Sequence, residues 1–234
     1  APRILAEEAE SRVLTVGTGG QFGTLKEAVT FIETWSAGNG YRTSTYPQFE
    51  IVLVGDSVVS ATNINITTSV KISGARPDVL LKFQSYSGSG APLLLGADGA
   101  HPGTFILENL TLTYDSSFQY GVNSGLVTGG ASSRVILNNV TASSASPGSL
   151  ETSMYDSIHY FAATSGESFT MKDCKVLGII TSLFMNGSVD TDIDVSSSFI
   201  ECSWSNGNSM SVFHGADPAP FLCKSLSVRG CTFN

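Results

Sequence analysis

The sequence predicts an all-β protein, a parallel β-helix (solenoid) with an N-terminal capping α-helix. Three observations predict this fold: a short pattern that returns about every 30 residues, alternation of apolar and polar residues within each copy, and one amphipathic segment before the first copy. Of the 234 residues, 41% are apolar and only 14% are charged, a composition typical of many short strands and turns. The net charge of −8 is thinly spread, which disfavours a nucleic-acid partner. No apolar run is long enough to insert into a membrane.

The first 48 residues predict a linker followed by a cap. Residues 1–12 are acidic and are expected to form a linker or a short helix, and VLTV (13–16) predicts a strand. TLKEAVTFIETW (24–35) predicts a helix, because apolar side chains return every three or four residues. The first coil of a solenoid exposes an apolar cross-section and open strand edges, so residues 13–48 are expected to cover it.

Both ends of the predicted helix carry sequence signals. Thr24 and Glu27 have the spacing of a capping box, in which each side chain accepts a backbone hydrogen bond from the other residue. Gly38 or Gly40 is expected to end the helix, because glycine adopts the left-handed conformation found after many helices. Residues 49–234 are then predicted to form the β-helix itself. Its first strands are expected at 49–54, 64–66, 70–72 and 79–83.

Five copies of one pattern follow these strands. Within a copy, apolar residues alternate on both sides of a one-residue slip, which predicts two strands joined at a tight corner. Asn, Asp and Gly at the slip favour a left-handed corner. The predicted corner residues are Asn109, Asn139, Asp173, Glu201 and Gly230. The first apolar positions are Leu107, Leu137, Met171, Phe199 and Val228, and the inward positions after the corner are Leu110, Val140, Cys174, Cys202 and Cys231.

The even spacing of three cysteines is explained by this repeat. Cys174, Cys202 and Cys231 are predicted to form a column of small buried side chains on successive rungs. Parallel Cβ vectors would aim their sulfur atoms poorly for disulfides, so the thiols are expected to be free. Cys223 lies outside the column and is also expected to be unpaired. Free thiols favour folding in a reducing cytoplasm.

VGTGGQFGTLKEAV (16–29) resembles the N-terminal segment of the pectin-lyase-like right-handed parallel β-helix superfamily. ILENLTL and VILNNVTA resemble its coils. The aspartate, glutamine and arginine segments of pectin methylesterases are missing from this sequence, and the calcium-binding aspartates of pectate lyases cannot be mapped. The resemblance is therefore closest to bacteriophage tailspike and tail-fibre proteins. It implies a homotrimer in the virion tail that recognises bacterial surface polysaccharide.

One acidic stretch, SVDTDIDV (188–195), provides candidate catalytic carboxylates. Its aspartates alternate, so they share one face if the segment is extended. Two carboxylates at a suitable separation can hydrolyse a glycosidic bond, and hard oxygen ligands can also hold Ca²⁺. The alternative is a solvated acidic loop that protects a strand edge. The candidate catalytic residues are Asp190, Asp192, Asp194, Glu201 and Asp217.

Aromatic residues around the two longer loops, 113–125 and 143–160, are candidates for stacking on sugar rings. The same rings can instead serve in packing or in subunit contacts. The candidate substrate-binding residues are Tyr114, Phe118, Tyr120, Tyr155 and Tyr160. The three histidines lack the spacing of metal ligands, and the sequence predicts neither a metal site nor a cofactor.

Three functions follow from these observations and the resemblance. The first is a tailspike or tail-fibre β-helix that recognises bacterial surface polysaccharide, with cleavage of that polysaccharide left open. The second is a pectin-lyase-like polysaccharide hydrolase or lyase that uses the carboxylates above, and the third is a structural virion component without a ligand. The pattern's last copy ends at CTFN, so continuation of the chain or a partner subunit is expected to cover this end.

Overall fold

The protein is an all-β fold of parallel sheets with one α-helix. The computed structural model describes residues 12–41, 44–60, 63–84, 92–96, 102–114, 125–144, 159–163, 166–179, 182–186, 189–202, 211–214 and 220–234. The helix α1 spans Leu25–Asn39. The strands are β1 Arg12–Val16, β2 Phe49–Leu53, β3 Ser57–Ser60, β4 Ile64–Ile66, β5 Val70–Gly74, β6 Leu80–Gln84, β7 Leu93–Leu95, β8 Gly103–Tyr114, β9 Gly125–Gly129, β10 Ser133–Ser144, β11 His159–Ala163, β12 Ser168–Lys172, β13 Lys175–Ile179, β14 Ser182–Asn186, β15 Asp192–Ser196, β16 Phe199–Cys202, β17 Ser211–His214, β18 Ser225–Arg229 and β19 Thr232–Phe233.

The strands form three ladders, and all their pairings are parallel. The first ladder runs β1-β2-β5-β8-β10-β12-β15-β18, and the second joins it through the long strands β8 and β10, in the order β3-β6-β8-β10-β13-β16-β19. The third ladder is a separate sheet, β4-β7-β9-β11-β14-β17. The chain visits the three ladders in the same order in each repeat. Each strand therefore pairs with its counterpart about one repeat away rather than with its neighbour in sequence.

The helix α1 begins and ends where the sequence predicts. Thr24 Oγ1 accepts a hydrogen bond from Glu27 N at 3.2 Å, and the Glu27 carboxylate accepts one from Thr24 N at 3.1 Å. Gly40, with φ of 74°, ends the helix in the left-handed region. The buried face of α1, which includes Leu25 and Ile32, contacts β1, β3 and β4, the first strands of the three ladders.

Two polar side chains fasten α1 to these strands. Glu33 accepts hydrogen bonds from the backbone N–H groups of Thr67 and Thr68 at 2.8 and 2.9 Å. The guanidinium of Arg12 lies 3.7 Å from the centroid of the Trp35 ring, a cation–π contact that joins β1 to the helix. The helix is therefore fixed in position by directional contacts as well as by its apolar face.

A column of left-handed residues separates the first ladder from the second. Asn109 has φ of 54° and Asn139 has φ of 52°, and Leu107 and Leu110 on the two sides of Asn109 are both buried. Asn109 Nδ2 donates to the carbonyl oxygen of Gly74 at 3.0 Å, and Asn139 Nδ2 donates to Asn109 Oδ1 at 2.9 Å. The predicted corner therefore exists, and its side chains form a hydrogen-bonded ladder along the stack.

The predicted register of the fourth copy is wrong by four residues. Ser197, with φ of 50°, is the corner residue, so Glu201 is not. Met171 pairs with Val195, which replaces Phe199 as the first apolar position. The predicted register places Cys202 inside. The chain instead places a serine there, because that hydroxyl group finds partners in the core.

The inward column after the corner therefore holds Cys174, Ser198 and Cys231, without Cys202. Ser198 is 3% exposed, accepts a hydrogen bond from Cys174 N at 3.1 Å and donates one to Ser196 O at 2.9 Å. Cys174 Sγ makes the equivalent contact with Lys172 O at 3.2 Å. The thiol and the hydroxyl group thus occupy one position with one hydrogen-bonding pattern.

Cys174, Cys223 and Cys231 are free, as predicted. Burial raises the pKa of the Cys174 thiol to about 11, so this group stays protonated at neutral pH. Cys202 pairs through its backbone with Ile179 in β13, and its side chain lies outside the described part of the structure.

Replacing Gly74 by alanine is expected to lower the free energy of unfolding by about 3 kcal/mol, since overpacking against rigid backbone cannot relax. An added Cβ would press against the Asn109 carbonyl oxygen and lie 2.6 Å from the Arg76 carbonyl oxygen. Chemical denaturation measures the change. Gly38→Ala is the control, because nothing lies within 4 Å of its Cβ and alanine favours the helix. Equal stability of the two variants would contradict the described corner.

Ser198→Ala tests the corrected register. The variant leaves the N–H of Cys174 without its acceptor in a buried position, so the free energy of unfolding should fall by about 2 kcal/mol. Ser60→Ala, at an exposed position of β3, should change it by less than about 0.5 kcal/mol. If position 198 were exposed, as the predicted register implies, the two variants would behave alike.

Candidate functional site

Asp192 and Asp194 lie on the outer face of β15, as the alternation predicts. Strand β15 alternates half-buried and buried residues, and both aspartates occupy the half-buried positions. Ser225 Oγ donates to Asp192 Oδ1 at 2.6 Å, and the Lys224 ammonium lies 3.4 Å from Asp192 Oδ2. Arg229 donates to Asp194 Oδ2 at 2.8 Å. Both carboxylates are therefore bound by groups of the neighbouring strand or of the residue before it.

The contacts of Asp192 favour its ionised form. The hydrogen bond from Ser225 and then the Lys224 ammonium lower the pKa of Asp192 below its usual value. A general acid for glycoside hydrolysis needs a raised pKa. Asp192 and Asp194 also belong to a strand of the first ladder, since β15 pairs with β12 and β18. The described geometry therefore gives Asp192 the role of an ion-pairing group.

The structure describes two of the other three candidate carboxylates, and neither of these two lies on β15. Asp190 is exposed in the turn before β15. Glu201 is half-buried in β16, beyond the left-handed Ser197, and thus belongs to the second ladder. Asp217 lies outside the described residues. Within the part of the chain that the structure describes, no group of three His, Cys, Asp or Glu side chains is arranged to hold a metal ion.

Tyr114, a candidate for stacking on sugar rings, serves instead in packing, the alternative that the sequence left open. Its side chain is only 1% exposed and pairs in register with the buried Phe83. The corner at Asn109 determines the orientation of Tyr114, because Leu110, Leu112 and Tyr114 alternate on the inward face of β8. Tyr160 belongs to β11, but its side chain is not among those described. Phe118, Tyr120 and Tyr155 also lie outside the described ranges.

A groove of about 490 Å³ opens where β6, β8 and β10 end in the second ladder. Its volume is within the range of small-molecule sites. Lys82 pairs with Thr113, and Thr113 pairs with Ser143, so three polar side chains stand side by side on successive strands. We call this site the Lys82 groove. It is lined by Leu80, Lys82, Phe83, Gln84, Thr113, Tyr114 and Ser143.

The ammonium of Lys82 is neutralised within the second ladder. Lys82 Nζ lies 3.1 Å from Asp56 Oδ2, and the backbone N–H of Leu80 donates to Asp56 Oδ1 at 3.1 Å. The Leu80 N–H group and then Lys82 lower the pKa of Asp56. Asp56 is therefore anionic at neutral pH, and the pair carries no net charge.

Sequence reasoning missed the polar residues of the Lys82 groove. Thr113 and Ser143 each follow the left-handed asparagine of their repeat by four positions, so the aligned copies contained a signal for them. Lys82 belongs to an earlier repeat, in which five residues rather than one left-handed residue separate β5 from β6. Polar side chains at one outward position, rather than aromatic residues in loops, would have located the groove.

A second polar network lies on the outer face of the first ladder. The Lys71 ammonium lies 2.6 Å from Glu108 and 3.3 Å from Glu50, and Asn138 donates to Glu108 at 2.9 Å. The hydrogen bond to Glu108 raises the pKa of Lys71, and the bonds from Lys71 and Asn138 lower the pKa of Glu108. Satisfied ion pairs across three strands indicate a stabilising role.

Glu108→Gln should lower the free energy of unfolding by about 1 kcal/mol at pH 7, a value reduced for the 31% exposure of the side chain. Because folding lowers the pKa of Glu108, its contribution is present above the ordinary value of 4.5 and is lost as the pH falls through the folded value. The difference between wild type and variant should therefore shrink between pH 6 and pH 3. Glu167→Gln, which breaks a more exposed pair with Arg134, is the control. A difference that does not depend on pH would contradict the assigned role.

Comparison with known proteins identifies no relative of this chain. No family, no curated protein and no solved structure matches the chain. Among the described residues, the single helix is too short and too polar to cross a membrane.

Proposed function

We propose that the chain is a right-handed parallel β-helix whose three ladders are the faces of one solenoid. Support comes from the strands, which pair in parallel with their counterparts one repeat away, and from α1, which contacts the first strand of each ladder. In this proposal α1 is the N-terminal cap, residues 13–48 form the capping unit, and residues 49–234 form the coils. The buried apolar cluster, which extends from Leu14 to Ile200, is the continuous interior.

We further propose that this β-helix belongs to a bacteriophage tailspike or tail fibre that recognises bacterial surface polysaccharide. The resemblance of residues 16–29 and of the repeated coils to that group supports the proposal. The free thiols of Cys174, Cys223 and Cys231 fit a protein that folds in the reducing cytoplasm of a host cell. The proposed assembly is a homotrimer in the virion tail.

The Lys82 groove is the proposed polysaccharide site, and its lining is the observation that carries the proposal. Gln84 and Ser143, which are both half-buried, supply amide and hydroxyl groups that hydrogen-bond with sugar hydroxyl groups. Leu80, which is half-buried, adds apolar surface of the kind that packs against the C–H groups of a sugar ring. The mixture of a few polar groups with apolar walls is typical of small-molecule sites.

The proposed activity is recognition rather than cleavage. Asp192 and Asp194 are held by Lys224 and Arg229, and the lowered pKa of Asp192 disfavours its use as an acid. Asp192 also lies on the first ladder, whereas the Lys82 groove lies on the second. This arrangement favours polysaccharide binding over the hydrolase or lyase alternative.

Binding of the purified chain to an array of capsular and O-antigen oligosaccharides tests the proposal. Gln84→Ala and Ser143→Ala should each lower the affinity for the bound glycan about 3- to 10-fold, since each removes one hydrogen-bonding group. Ser227→Ala, on β18 of the first ladder, is the matched control and should bind like the wild type. Calorimetry on the best array ligand measures the three affinities.

Two results would contradict the proposal. If no oligosaccharide binds, recognition fails and a structural component without a ligand is favoured. If bound polysaccharide is cleaved, a reducing-sugar assay will detect new ends. If the Asp192→Asn variant then produces no new reducing ends, Asp192 on β15 is a catalytic residue.

A further inference from the structure

The charges at the Lys82 groove bear on which class of glycan can bind there. Among the described residues that line the groove, Lys82 alone carries a charge. That charge is already matched by Asp56, whose second oxygen accepts the Leu80 N–H group. Lys82 therefore stands beside the groove as half of a neutral pair, with a side chain that is 38% exposed.

An anionic sugar would have to compete with Asp56 for Lys82. A uronic-acid carboxylate in the groove would be attracted by the Lys82 ammonium. It would also be repelled by the Asp56 carboxylate, which is paired with that ammonium. The whole chain adds a further repulsion, because its net charge is −8. Among the described lining residues, the other partly exposed polar groups, Gln84 and Ser143, are uncharged donors and acceptors that suit hydroxyl groups.

We propose that the Lys82 groove selects an uncharged stretch of polysaccharide, built from neutral hexoses, over a polyanionic one. This inference rests on the proposed function, since it names the ligand class of the same groove. The lysine then serves as a hydrogen-bond donor to sugar hydroxyl groups, held in place by Asp56. Binding consequently depends little on salt, in contrast to recognition of an acidic capsule.

A matched pair of ligands tests the selection. Oligosaccharides from a uronic-acid-containing capsule are compared with the same oligosaccharides after chemical reduction of their carboxyl groups to primary alcohols. Calorimetry with the full chain measures both affinities at 50 mM and 500 mM NaCl. The reduced, neutral form should bind at least about 5-fold more tightly at 50 mM NaCl, and its affinity should change less than about 2-fold at 500 mM.

Asp56→Asn provides a variant that changes the charge while keeping an acceptor for the Leu80 N–H group. It leaves Lys82 as an unpaired cation, so the uronic-acid form should gain at least about 5-fold in affinity at 50 mM NaCl and lose that gain at 500 mM. Glu167→Gln removes an equal charge at the exposed pair with Arg134 and should leave both affinities unchanged.

The outcomes separate the two proposals. Tighter binding of the uronic-acid form to the wild type, weakened by salt, would overturn the selection of neutral glycans and leave polysaccharide recognition intact. Equal affinities that do not respond to Asp56→Asn would also overturn it. If neither form binds and the glycan array is negative, both proposals fail together.

Discussion

In-register stacking of parallel strands is the constraint on which the rest of the structure depends. Once a strand pairs with its counterpart one repeat away, each residue is stacked on an equivalent residue, and its side chain must suit that neighbour. The asparagine ladder from Gly74 through Asn109 to Asn139 illustrates this at the corner, since each amide is satisfied by the rung below. The ion pairs of Lys71 are a second example, because its ammonium lies between the carboxylates of Glu50 and Glu108 on the two neighbouring strands. The Lys82 groove exists because polar residues share one register position on three strands.

The sequence was sufficient to predict the elements whose signals are local. The capping box of α1, the strand at 49–53 and the corners at Asn109 and Asn139 depend on nearby residues, and all of them are present. Strands β3 and β7 were not predicted, because SVVS and LLL do not alternate apolar and polar residues as INI in β4 does. The fourth corner was misplaced for another reason: hydrophobicity ranks Cys202 above Ser198 as a core residue. Only the three-dimensional partners, Cys174 N and Ser196 O, make the serine acceptable inside.

The candidate site was predicted less well than the fold. Alternation correctly placed Asp192 and Asp194 on one face, but the cations that bind them come from residues more than 30 positions later in the chain. No pattern within a short stretch of sequence predicts such an ion pair. Tyr114 was a candidate for stacking on sugar rings because it flanks a longer loop, whereas the phase set at Asn109 turns it inward. A site that is built across rungs is visible in sequence only when equivalent positions of different copies are compared.

The asparagine ladder has a consequence for production of the protein in other cells. Asn109 and Asn139 each begin an Asn-x-Thr acceptor sequence for N-linked glycosylation, as does Asn65 on the exposed side of β4. An oligosaccharide attached to Asn109 would replace one of its two amide hydrogens and place a bulky group on the atom that donates to the Gly74 carbonyl oxygen. Glycosylation of either asparagine would therefore disturb the hydrogen-bonded ladder at the residues that set the register of the strands.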